Sequence, residues 1–112
     1  MITNAKNKSV MTLGHNLQLG VDGYYTENNS TYPSGTDVQI QTLTKADGVL
    51  KDYMATPKNP FTGSTYTETG AGSDQGKIEY SLVDDVYTIS CYAKDGTTLL
   101  TTFSNSPSNT GN

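Results

Sequence analysis

Cys91 and His15 are the only cysteine and the only histidine of the chain. A thiol–imidazole pair is the one nucleophilic site they could build. Such a pair needs its ring oriented by a third group, and the spacing supplies none. His15 follows Gly14 inside a helical pattern, while Cys91 alternates with Tyr87 and Ile89 on a strand pattern, where a small apolar side chain belongs. The expectation is a buried cysteine, an exposed histidine and no enzyme. One cysteine also allows no intrachain disulfide and no cysteine-ligated zinc.

The second chemistry open to the chain is calcium binding, which asks for several oxygens from a flexible loop. Asp74, Asp84, Asp85 and Asp95 are the acids in loop positions. The Asp84-Asp85 turn and Asp95 are separated by a strand pattern that would hold them about 26 Å apart at 3.3 Å per residue. Aspartate at a hairpin turn is ordinary turn chemistry. Asp74, Asp84 and Asp85 are therefore weak metal candidates, and no cofactor is expected.

Composition narrows the class further. The 112 residues, 12.0 kDa, make one domain with a modest core. Hydrophobic content is 33%, mean hydropathy is -0.53 and only 16% of residues are charged. Thr, Ser and Asn fill the difference with 37 residues, a composition that leans toward a surface facing other proteins or the cell exterior. A net charge of -4 opposes binding to nucleic-acid phosphate. All seven basic residues are lysine, so no bidentate guanidinium clamp exists. The sequence contains no run of 18 apolar residues, and as given it reads as soluble.

The elements that must carry these residues follow from periodicity. Val10, Leu13, Leu17, Val21 and Tyr24 recur at three- and four-residue spacing, which predicts a helix over 3–27 with one apolar stripe, capped by Thr3 or Asn4. It would be about 36 Å long at 1.5 Å per residue. Gly14, Gly20 and Gly23 each weaken it by roughly 1 kcal/mol, so it must lie on something. Residues 28–76 read as irregular, with a short second helix capped by Asp47 and ending near Tyr53. From Ile78 the period becomes two. Turns at Asp84-Asp85 and at Lys94-Asp95-Gly96 divide the rest, to residue 103, into an antiparallel meander of three or four strands. Residues 105–112 read as a disordered tail. One helix followed by one sheet is α+β, and the two apolar surfaces should cover each other. "NKS", "NNS" and "NST" match the glycosylation pattern but are expected by chance in a chain this rich in Asn, Ser and Thr.

Three stretches in order, "GYYTENNSTYP", "LKDYMATPKNPFTGSTY" and "IEYSLV", resemble the type IV pilin and pseudopilin family. In that family a helix ends in an aromatic pair, a polar turn leads to Tyr-Pro, and a Pro-x-x-Pro segment with an aromatic precedes the sheet. Tyr24, Tyr25, Tyr32, Pro33, Pro57, Pro60 and Phe61 stand at those places. Along with Leu13, Leu17 and Val21 of the stripe, they become the expected structural residues. The resemblance implies a pilin-like domain over 1–104 that works by assembly, with identical or related pilin subunits and an inner-membrane assembly machinery as partners. It also implies about 20 apolar residues ahead of Met1, which would anchor the subunit in the membrane before it joins an extracellular filament. Lys6 and Lys8, which oppose the dipole of a helix starting here, fit such a continuation. Two features depart from common members: the missing disulfide, and Phe61 where major pseudopilins carry tryptophan. A pseudopilin of a type II secretion or competence system, and a free-standing ligand-binding module, stay open as alternatives.

Overall fold

Helix α1 (Ile2–Glu27) lies along one face of an antiparallel sheet in the computed structural model, which describes residues 2–70 and 72–105. The expected stripe is the buried one. Val10, Leu17 and Val21 are fully buried, and Leu13 and Tyr24 pack partly against the same core. Thr3 and Asn4 lie within the helix, so neither is its cap, which requires non-helical backbone. Among the described residues no helix is long and apolar enough to cross a membrane.

The sheet has the order β1 (Val38–Gln39), β2 (Ile78–Val83), β3 (Val86–Tyr92), β4 (Leu99–Ser104), all antiparallel. Alternation places Ile78, Tyr80, Tyr87, Ile89 and Cys91 on the inner face, all buried. Register lines Tyr80 up with Ile89 and Phe103, and Ile78 with Cys91 and Thr101. The helix packs on β3 and β4. The result is α+β, with helix stripe and sheet face covering each other.

Gly14 explains how closely they approach. A methyl group there would fall inside the radius of the Cys91 Sγ and 3.1 Å from the Phe103 ring. Helix propensity alone favours Ala over Gly by about 1 kcal/mol, yet overpacking costs typically 1–3 kcal/mol. With a sulfur of no exposure as the neighbour, the steric cost wins. Gly14→Ala is expected to destabilise by about 1–2 kcal/mol, and Cys91→Ala in the same chain should recover much of that. Denaturant midpoints of the two single variants and the double variant check it; additive losses would show that the two residues do not touch.

The middle of the chain is less irregular than its composition suggests. It holds β1 and a short helix α2 (Ile40–Thr44), and the Asp47-capped helix does not form. Gly48 sits against the Leu43 carbonyl with no room for a side chain. The Leu50 amide bonds to that carbonyl at 2.8 Å. The chain therefore folds back through turns over residues 45–53, with Leu50 buried and Val49 exposed. The last strand ends at Ser104, one residue past the expected end of the meander. Asn105 is placed, its side chain accepting from the Tyr87 amide and donating to the Asp85 carbonyl at 2.9 Å each. The rest of the expected disordered tail, 106–112, lies outside the described residues.

Candidate functional site

The end of α1 is where the sequence concentrates its aromatics, and the structure joins them to the sheet. The helix stops at Glu27 because Asn29 and Ser30 both take left-handed backbone, φ 58° each. The Ser30 amide reaches back to the Tyr25 carbonyl at 3.0 Å, the six-to-one closure common at helix ends. Asn28 caps the Tyr24 carbonyl with its side-chain amide at 2.8 Å.

From that corner the rings run inward. Tyr25 stacks on Tyr32 at 4.2 Å between centroids, Tyr32 meets Tyr87 edge-on at 5.3 Å, and Tyr87 stacks with Tyr80 at 5.9 Å. These separations fall in or just below the favoured range for aromatic pairs. Two hydroxyls fasten the inner end. Tyr80 donates to the Pro33 carbonyl at 2.6 Å, and Tyr87 donates to the Asp22 carboxylate of α1 at 3.0 Å. A side branch pairs Tyr24 with Tyr53 at 5.8 Å, and the Tyr53 hydroxyl donates to Glu27 at 2.8 Å. Gly20 and Gly23 face Tyr53, which accounts for their place in the helix.

The electrostatics keep these phenols as donors. Burial pushes the Tyr80 hydroxyl well above its usual range. Burial, with the Asp22 carboxylate adding to it, pushes Tyr87 up to about 12. Both shifts favour the protonated, donating form of the phenol. Tyr80→Phe should cost about 1–3 kcal/mol, because it leaves the buried Pro33 carbonyl unpaired. Tyr25→Phe, at a hydroxyl with no partner among the described residues, should stay within about 0.5 kcal/mol. Equal losses from the two in denaturant melts would count against the bond.

Of the expected structural residues, Tyr24, Tyr25, Tyr32 and Pro33 lie at this corner, with Pro33 buried at the turn, and Pro57, Pro60 and Phe61 lie apart from it. The strand half of the junction, Tyr80 and Tyr87, was not among them, nor were Asp22 and Tyr53. The 57–66 segment is a second knot. Asn59, 2% exposed, donates to the Gln75 carbonyl at 2.8 Å and accepts from the Phe61 amide at 2.9 Å. The Pro57 carbonyl accepts from the Tyr66 amide, and the Tyr66 hydroxyl donates to the Gly76 carbonyl at 2.7 Å. Phe61 packs against Gly76, and Pro57 and Pro60 are half-buried. The pocket beside this knot, lined in part by Asn59, Thr62, Tyr66 and Gly72, holds about 150 Å³, below the few hundred of a small-molecule site.

Cys91 is fully buried, and burial pushes its thiol up to about 12, far from a reactive thiolate. His15 is exposed and leans on Phe103 with centroids 5.8 Å apart. No hydrogen bond links it to Cys91 among the described residues. Asp95 folds onto its own turn, accepting from the Thr98 hydroxyl and from the Thr97 and Thr98 amides, which hold its carboxyl near 2. The segment ahead of β2 reaches this turn, since Asp74 lies against Gly96. Even so, no three acidic, histidine or cysteine side chains converge among the described residues. Millimolar calcium is expected to leave the thermal midpoint where a chelator leaves it. A site filled at 100 times its dissociation constant would add about 2.7 kcal/mol and several degrees.

No protein family, curated protein or solved structure matches the chain.

Proposed function

We propose that this chain is the globular head of a type IV pilin-like filament subunit, one that acts by assembly and carries no reaction. The observation that carries the reading is the aromatic junction, which locks the end of a 26-residue helix to the sheet through Tyr25, Tyr32, Tyr87 and Tyr80. A subunit that transmits load from a helical stem to a head needs its corner held rigid, and stacked rings tied by two hydroxyl bonds do that. The resemblance in sequence order around Tyr24, Pro33, Pro57 and Phe61 supports the same reading. In this reading an apolar helical segment holds the subunit in the membrane until the assembly machinery adds it to an extracellular filament. Its partners there are identical or related subunits.

The test is localisation in the source cell. Antibody to this domain should label surface filaments in electron micrographs, and the antigen should appear in the fraction sheared from cells. Antigen confined to the cell interior, with no labelled filaments, would overturn the proposal.

A further inference from the structure

The β2–β3 turn forms a knob at one end of the molecule. Val83 is 64% and Val86 41% exposed, and Asp84 and Asp85 between them are exposed as well. Both aspartates take left-handed backbone, φ 51° and 65°, as a two-residue hairpin turn of the favoured twist requires. The Asn105 side chain braces the β3 side of the turn, through the Asp85 carbonyl and the Tyr87 amide. The knob is therefore fixed in shape before it meets anything.

An open groove of about 460 Å³ lies between the first half of α1 and the 57–60 segment. Its lining combines the apolar Leu13 and Pro60 with the amines of Lys8 and Lys58 and the hydroxyls of Ser9 and Thr12. Among the described residues neither lysine is in an ion pair, and neither is Asp84 or Asp85. The charge along α1 is divided in the same sense. Lys6 and Lys8 stand alone in its first half, and Asp22 and Glu27 in its second, on a chain of net charge -4.

Knob and groove cannot meet within one molecule. Tyr87, next to the turn, bonds to Asp22, while Cys91 at the far end of β3 lies under Gly14. Asp22 is 14 residues along the helix from Lys8, roughly 20 Å at 1.5 Å per residue.

The geometry points to a head-to-tail contact between copies of this chain, in which the 83–86 turn of one copy enters the Lys8–Lys58 groove of the next. Asp84 and Asp85 face the two lysines, and Val83 and Val86 cover Leu13 and Pro60. The two surfaces differ, so the contact is heterologous and extends to a third copy instead of closing a pair. Its charges sit at an open rim, so it is weak in isolation and weakens with salt. For its biological setting the contact rests on the filament reading.

Amide spectra of the isotope-labelled domain, recorded on dilution from about 1 mM in low salt, test it, because exposed ion pairs are screened as ionic strength rises. Concentration-dependent shifts are expected at both patches, residues 8–13 with 58–60 and residues 83–86, and should vanish in about 0.5 M salt. Asp84→Asn with Asp85→Asn removes the knob's charge while keeping a residue type that tolerates left-handed backbone. Lys8→Glu with Lys58→Glu disables the groove. Each variant alone should sediment as a monomer. Their equimolar mixture should form a one-to-one dimer that grows no further, since one functional knob and one functional groove remain between them. A mixture that stays monomeric overturns the contact, as does wild-type association confined to one patch or no wild-type association at all. Any of these outcomes leaves the filament labelling of cells unaffected, so the two proposals fail separately.

Discussion

Leu17→Ala is expected to lower the unfolding free energy by about 2–5 kcal/mol, the range for emptying a fully buried leucine site. Leu17 has no exposed surface and sits in the middle of the buried stripe, between Val10 and Val21. The cavity would open between helix and sheet, where the inner face of β3 contributes the buried Ile89 and Cys91. Little there can collapse, because Gly14 already brings the helix backbone against the Cys91 sulfur. Leu19, two residues on and 57% exposed, is the matched control. Leu19→Ala should fall within about 0.5 kcal/mol of wild type. Urea unfolding of both variants decides it. A Leu17→Ala loss as small as that of Leu19→Ala would mean that the stripe is not the core.

Asn59→Asp should cost about 3–5 kcal/mol at pH 7, as an uncompensated buried charge does. The substitution keeps the shape and the bond from the Phe61 amide, but it replaces the amide that donates to the Gln75 carbonyl with an oxygen. An ionised carboxylate there faces a carbonyl with 2% of the residue exposed. A protonated one can donate and restores the missing bond. The folded-state pKa of the new aspartate must therefore lie above its unfolded value of about 3.9. With the folded state binding more protons, the deficit relative to wild type is small below about pH 4 and grows as pH rises to the folded pKa. Unfolding of variant and wild type side by side at low and neutral pH measures the difference. A deficit that does not change with pH would show that the side chain escapes to solvent.

What could be read from the sequence was whatever repeats locally. The stripe from Val10 to Tyr24 has the helical period, and Ile78 through Cys91 has the strand period with Asp84-Asp85 between, so α1 and the meander follow from neighbours in the chain. The corner at Tyr24 and Tyr25 was visible because its helix end, polar turn and Tyr-Pro are contiguous. Its other half was not, because Tyr80 and Tyr87 arrive from more than 45 residues away and look like any inward-facing strand residues. Two tyrosines on alternate, inward positions of a hairpin were the available signal. Asp47 misled for a related reason. It is a good capping residue in a locally helical pattern, but the approach of Gly48 to the Leu43 carbonyl closes a turn instead. Asn59 gave no local sign at all, since its partner at Gln75 lies across a loop whose composition says only that it bends.

The chain of tyrosines also makes the molecule its own optical gauge. There is no tryptophan, so all eight tyrosines emit without a dominant acceptor. Four of them form one continuous chain of ring contacts between helix and sheet, and the hydroxyls of Tyr53 and Tyr87 rest on carboxylates. Exciton coupling between rings held at fixed angles gives near-ultraviolet dichroism, and a carboxylate hydrogen bond dims tyrosine emission. Parting the helix from the sheet would abolish the first and relieve the second, even with both elements intact. Movement at this corner can thus be followed in unlabelled protein, by light alone.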